Sequence, residues 1–358
     1  MKHRIVLALV VVVLVTFSIL FRASAIPSIP AVASETSSTS LRALAQKRGI
    51  NIGAAVDFAP LQNDPDYRAL LTREFDIMVP ENAWKFDYVH PTRGHYDFTQ
   101  VDALMAFAKA NNLKMRGHPL AWHHLIPPWV TKGNFTRDEW IAILREHIET
   151  LVGRYRGQVY IWDVVNEAIN RDGSLRDTIW LRNIGPEYID LAYRWTHEAD
   201  PQALLFYCDY ATEELGQKSD AVYDLVRGML QRGVPLNGVG FQAHLGLSYA
   251  PKLKSLAKNF KRFGELGLEV QFTELDVKVQ DGVGSWDSRL VAQGKVYAGL
   301  LKTCLEAQTC TAFTTWGITD RYTWIGDLTG LGEAPLIFDK SYRPKPAYDA
   351  IKDVLQTE

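Results

Sequence analysis

Cysteine is scarce in this chain of 358 residues, with three in all, and no C-x-x-C pair occurs. That removes the usual spacings of zinc ribbons and dithiol redox sites. No run of Lys and Arg is present, and the formal net charge is only −2. Phosphate binding needs a clustered basic surface, so nucleic acid is not expected as a partner. Tandem repeats and heptads are absent as well, and with 47% hydrophobic and 22% charged residues the composition is that of an ordinary globular protein.

The N-terminus carries the one long apolar run. Two firm cations lie in Met1–Arg4, Ile5 to Phe21 is uncharged and apolar, and Ala23-Ser24-Ala25 follows as a small-x-small pattern. Residues 1–25 therefore read as an export signal, either cleaved or retained as a membrane anchor, and place the rest outside the cytoplasm. Residues 26–40 are Pro, Ser, Thr and Ala without an apolar face, a flexible linker. From residue 41 to 358 no second linker interrupts the chain, and a single catalytic domain is expected. Cys304 and Cys310, six apart, suit a small disulfide clip between a helix end and a strand in an oxidising compartment. Cys208, among Leu204, Leu205, Phe206 and Tyr207, reads as a buried, inert thiol.

Short apolar runs alternate with helical stretches. Strands are expected at Ile50–Val56, Phe75–Val79, Lys114–His118, Tyr160–Val165, Leu204–Tyr207, Gly238–Phe241, Val270–Thr273 and Ala312–Trp316. Several are continuously hydrophobic, as strands buried on both faces are. Thr136 and Glu139 form a capping box for a helix whose apolar positions recur at helical spacing. Eight strands separated by helices suggest a (β/α)8 TIM barrel, although a doubly wound sheet gives a similar alternation. The polar residues favour the barrel. Glu81, His118, Asn166 and Glu167, Asp209, Gln242 and His244, Glu274 and Asp276, and Trp316 each fall at or just past a different strand end. In a parallel barrel those ends share one rim.

Two carboxyls on such a rim can cleave a glycosidic bond, one protonating the leaving oxygen while the other attacks or stabilises the anomeric carbon. Glu167 in WDVVNEA and Glu274 in FTELD fit that pair, against the plainer reading of two rim carboxylates neutralised by Lys or Arg. His244 is placed to hold Glu274 charged, Asp276 to fix the imidazole, and Asn166 to bond a sugar 2-hydroxyl. The segment HPLAWHH invites a metal reading, but H-x4-H-H is not a spacing that brings two imidazoles to one ion. No metal and no cofactor are expected.

These motifs resemble family 10 glycoside hydrolases, the retaining endo-1,4-β-xylanases of (β/α)8 fold, from about residue 45 to 352. The resemblance rests on ENAWKFDYVHP, RGHPLAWH, WDVVNEA, GVGFQAHL, FTELD, TTWGITDRYTW and LIFDKSYRPKPAYDAI. It implies that Glu167 is the acid/base and Glu274 the nucleophile. It implies further that Glu81, Asn82 and Lys85 bind sugars on the non-reducing side of the cut. His118, Trp122, His123, Asn166, Gln242 and His244 would line the reacting sugar's site, with Trp316 and Trp324 covering it. A clip between the last helix and the eighth strand is also common in the family, at the place of Cys304 and Cys310. The implied partner is xylan, handled by a monomer. Departures from the family pattern are Trp84 for the usual Met, Phe86 for Trp, Leu125 for a frequent Gln, and Cys208 and Ala211 where asparagines are common. Leu125 keeps a cellulase or mixed-linkage glucanase open as the rival reading. A barrel that only binds glycan is the other, and it would be expected to have lost one of these groups.

Overall fold

A computed structural model of the chain describes residue 29 and residues 37–329 and 333–357. The expected export segment and most of the linker lie outside the described residues. Among the described residues no helix is long and apolar enough to cross a membrane.

Among the described residues nine strands form: β1 Asn51–Val56, β2 Ile77–Pro80, β3 Lys114–Gly117, β4 Ile161–Asn166, β5 Leu204–Asp209, β6 Gly238–Phe241, β7 His244–Gly246, β8 Glu269–Lys278 and β9 Cys310–Thr315. All neighbours in the main sheet are parallel. β1 to β6 follow one another, β6 pairs with β8, β8 with β9, and β9 returns to β1. That is a closed eight-stranded barrel with helices outside it, the (β/α)8 architecture expected from the alternation. β7 stands apart, pairing only with the outer half of β8.

Two differences from the expected strands matter. Phe75 ends the helix Pro65–Glu74 instead of opening β2, and Asp76 then accepts from the Ile52 backbone N–H at 2.8 Å. β8 runs five residues past Thr273, because β7 supplies a partner for residues that would otherwise leave the sheet.

Local chemistry explains the helices around the barrel. Thr136 and Glu139 make the expected capping box at the start of Arg137–Arg154, and Trp140, Leu144, Ile148 and Leu151 turn the apolar face inward. Gly117 is required by a neighbour: a Cβ there would sit 2.2 Å from the Trp162 ring. Cys304, at the end of the helix Trp286–Glu306, is disulfide-bonded to Cys310 at the start of β9. Cys208 is the buried free thiol, and burial pushes its pKa well up.

The barrel interior below the rim is polar. Arg116 of β3 and Asp163 of β4, each 1% exposed, form a two-point ion pair. Arg116 also donates to Gln271 Oε1 at 2.7 Å, and Gln271 donates to Thr311 at 2.8 Å. Burial would raise the Asp163 pKa, but Arg116 and His118 outweigh it and hold the carboxyl at about 2. Removing one partner strands a buried charge, so Arg116→Met is expected to lower unfolding stability by about 3–5 kcal/mol. Urea unfolding of both proteins measures it; a loss below about 1 kcal/mol means the pair is not structural.

Candidate active site

One cleft of about 980 Å³ opens on the rim formed by the C-terminal ends of the strands. It is lined by Glu81, Asn82, Lys85, His118, Trp122, Asn166, Glu167, Gln242, His244, Glu274, Trp316 and Trp324, among others. Residues scattered over the chain thus meet on one surface.

Glu167 enters the cleft through an unusual backbone. Its φ is +57°, a left-handed conformation that a residue with a Cβ rarely adopts and that costs about 1–3 kcal/mol. The kink is held on three sides. Glu167 N–H donates to the Cys208 carbonyl at 2.9 Å, Ala168 N–H to the Tyr207 hydroxyl at 3.1 Å, and Arg176 Nε donates to the Glu167 carbonyl at 2.7 Å. The turn at the end of β4 therefore aims the carboxylate across the rim and does not let it continue the strand.

Gln242 ties both glutamates together. Its side-chain amide donates to Glu167 Oε1 at 3.1 Å, and its backbone carbonyl accepts from Glu274 N–H at 3.1 Å. Ala243 follows with φ +59°, which breaks β6 and starts β7 so that His244 also turns to the cleft. Swung so that its oxygen accepts from Trp122 Nε1 at 3.3 Å, the Asn166 amide donates to the Cys208 carbonyl at 3.2 Å.

Glu274 sits in a dense polar setting on β8. His244 Nε2 lies 3.2 Å from Glu274 Oε2, and His244 Nδ1 lies 2.9 Å from Asp276 Oδ2. The same Asp276 oxygen accepts from Trp324 Nε1 at 2.9 Å. Burial would push the His244 pKa down, but Asp276 and Glu274 overcome it and raise the value to about 10. The imidazole is therefore protonated near neutral pH and donates one N–H to each carboxylate. Trp316 and Trp324 enclose His244, with ring centroids 6.4 and 5.0 Å from it. His118 approaches Glu274 from below, with Nε2 3.8 Å from Oε1, and its Nδ1 lies 3.0 Å from Asp163.

At the other end, Lys85 donates to Asn82 Oδ1 at 2.9 Å and stands 5.2 Å from the Trp122 ring centroid. Burial lowers the Lys85 pKa, against the pull of Glu81 and Glu274. Opposite them lies Tyr210, whose hydroxyl accepts from Arg176 at 2.7 Å. The Lys218 ammonium lies 3.3 Å from the Tyr210 ring centroid and pairs with Asp209 at 2.6 Å.

One of the residues expected around the reacting sugar, His123, is not part of the cleft lining itself. His123 is partly exposed beside Glu167, with Nε2 4.0 Å from its carboxylate, and burial pushes its pKa down to about 3; the neighbouring His124 also borders the cleft. Asp276, expected to fix the His244 imidazole, is wholly buried and meets two cleft residues, His244 and Trp324. Among the described residues no group of three or more His, Cys, Asp or Glu could share a metal ion. Asp163 and Arg116 were not singled out from sequence, although an Asp inside the apolar run IWDVV is itself a signal of a paired charge.

Most of the departures lie away from the cleft. Trp84 is fully buried against Trp162 and Tyr155, and Phe86 stacks on His147 with centroids 3.8 Å apart. Leu125 is exposed outside the lining, and Cys208 lies beneath it. Only Ala211 faces the cleft.

Comparison with known proteins fits this geometry. The sequence pattern of Glycosyl hydrolase family 10 matches residues 40–354. The chain belongs to glycosyl hydrolase family 10. It is 42% identical to "Endo-1,4-beta-xylanase B" of Thermotoga neapolitana, over 88% of this chain and 91% of that protein. "Endo-1,4-beta-xylanase 1" of Humicola insolens is 38% identical over 90% of this chain and 76% of its own. Among solved structures, xylanase 10B of Thermotoga petrophila RKU-1 in complex with xylobiose superposes with a TM-score of 0.85. It is 42% identical, with 88% of this chain and 97% of that one covered. The barrel and its cleft are therefore those of this family.

Proposed function

We propose that the chain is an endo-1,4-β-xylanase that hydrolyses internal bonds of xylan by a retaining double displacement. The observation that carries this reading is the pair Glu167, just past β4, and Glu274, within β8, opening on one cleft and joined through Gln242. Family membership and relatives named as endo-1,4-β-xylanases support the substrate class. Glu274, which His244 Nε2 meets at 3.2 Å, attacks the anomeric carbon. Glu167 gives a proton to the leaving oxygen, and the leaving sugar departs. It then takes a proton from the water that releases the glycosyl group from Glu274. Glu81, Asn82 and Lys85 hold the sugars on the non-reducing side. His118, Trp122, His123, Asn166 and Gln242 hold the reacting ring, and Trp316 and Trp324 cover it.

The protein is proposed to act outside the cytoplasm. The apolar run behind Met1–Arg4 supports this, and so does the Cys304–Cys310 bond, which is kept in oxidising compartments.

A 2-fluoro xylobioside with a good leaving group tests nucleophile, stereochemistry and sugar together. Inactivation is expected, with one glycosyl group added to the peptide containing Glu274. Labelling of any other residue, or turnover without trapping, ends this assignment.

A further inference from the structure

The cleft continues well past the two glutamates. β2 and β6 stand on opposite sides of the closed order, so the segments that follow them face each other across the bowl. Glu81, Asn82 and Lys85 follow β2; the outward wall of β7 and β8 follows β6. Along that wall His244 pairs with Asp276 and Gly246 with Lys278. Lys278 lies four residues beyond Glu274 on one continuous strand, roughly 13 Å farther along at about 3.3 Å per residue. That is more than the width of a sugar ring.

Tyr249 is presented at this far end by a locked turn. Its N–H donates to the Gly246 carbonyl at 3.2 Å. The Asp281 carboxylate takes the Leu247 N–H at 3.0 Å, the Ser248 N–H at 3.3 Å and the Ser248 hydroxyl at 2.6 Å. The tyrosine is nonetheless 49% exposed and borders the cleft, together with Leu215, 41% exposed, and Pro251. The Lys278 ammonium stands 5.6 Å from the ring centroid, and the tyrosine beside it raises the lysine's pKa. Lys278 itself borders the cleft, which brings its ammonium donors within reach of a ligand hydroxyl there.

An apolar ring held rigidly at the edge of a polar groove, with a cation beside it, matches one face of a pyranose: the C–H groups cover the ring and the hydroxyls take the donors. We propose that Tyr249, with Lys278 and the lip of Leu215 and Pro251, forms a distal subsite for a xylosyl unit of the polymer on the leaving-group side of the cut. This rests on the function proposed above.

The test compares substrates that do and do not reach so far. Tyr249→Ala is assayed on 4-nitrophenyl β-xylobioside, whose leaving group is not a sugar, and on xylohexaose. Asp281→Ala, which frees the turn but keeps the ring, is assayed in parallel. For Tyr249→Ala, kcat/KM on xylohexaose is expected to fall about tenfold, mostly through KM, while the aryl xylobioside changes less than twofold. Asp281→Ala is expected to show the same split to a smaller extent. Equal losses on both substrates, or no loss on either, overturn the subsite. Failure of the unaltered protein to cut the aryl xylobioside overturns the parent function and the subsite with it.

Discussion

Replacing Glu274 with alanine is expected to lower kcat on xylan on the order of 10⁵-fold, the scale seen when a nucleophile is removed. Folding is expected to survive, because the lost carboxylate borders an open cleft and its strand keeps both neighbours, β6 and β9. Near-UV circular dichroism and urea unfolding check that half. The chemistry is checked by adding azide to the variant with an aryl xylobioside: azide enters from the vacated face, the aryl oxide leaves, and the glycosyl azide has inverted configuration. Glu167→Ala supplies the contrast. An aryl leaving group of low pKa departs without help, so that variant is expected to keep forming the glycosyl-enzyme while failing on xylan. Wild-type-like turnover by Glu274→Ala, or an azide of retained configuration, contradicts the roles proposed for the two residues.

His244 carries the second large effect. Its donors hold Glu274 and Asp276 together, and removing such a donor beside developing charge costs about 10²–10³-fold in kcat. His244→Gln is expected to fall in that range. The stability consequence has a definite sign. A histidine whose folded pKa is raised from 6.5 to about 10 stabilises the protein in full below about pH 6.5, and that contribution fades as the pH rises through 10. The unaltered protein is therefore expected to lose stability between pH 7 and 10 more steeply than His244→Gln. Urea midpoints over that range measure the two slopes, and parallel slopes would show that the imidazole is not held charged by its neighbours.

The strands and rim residues were legible because each is a local signal. A strand buried on both faces must be apolar throughout, so a polar residue at its end stands out, and closure of the barrel collects those ends. β7 was not legible. Three residues, His244–Gly246, carry no periodicity, and they pair only because β8 is long enough to offer an edge. How His123 and His124 are disposed around Glu167 was equally out of reach. Consecutive loop residues point in different directions, and only the packed backbone puts one imidazole beside Glu167 and the other on the cleft wall. The positive φ of Glu167 has no sequence signature either, since the conformation is held by the Cys208 carbonyl and the Tyr207 hydroxyl, distant along the chain, and by Arg176 in the loop that follows. Arg116 and Asp163 lie between: their charges in apolar strands announce a pairing, but not its partner.

The ion pair below the rim bears on how such a protein can be made more heat-resistant. Arg116 and Asp163 belong at once to the barrel's interior and to the support of His118, which leans on Glu274. Repacking that interior with apolar side chains is often favourable for stability elsewhere. Here it would remove the floor from under a reacting carboxylate. Gains in durability are better sought in the outer ring of helices and at their ends, where nothing touches the sugar.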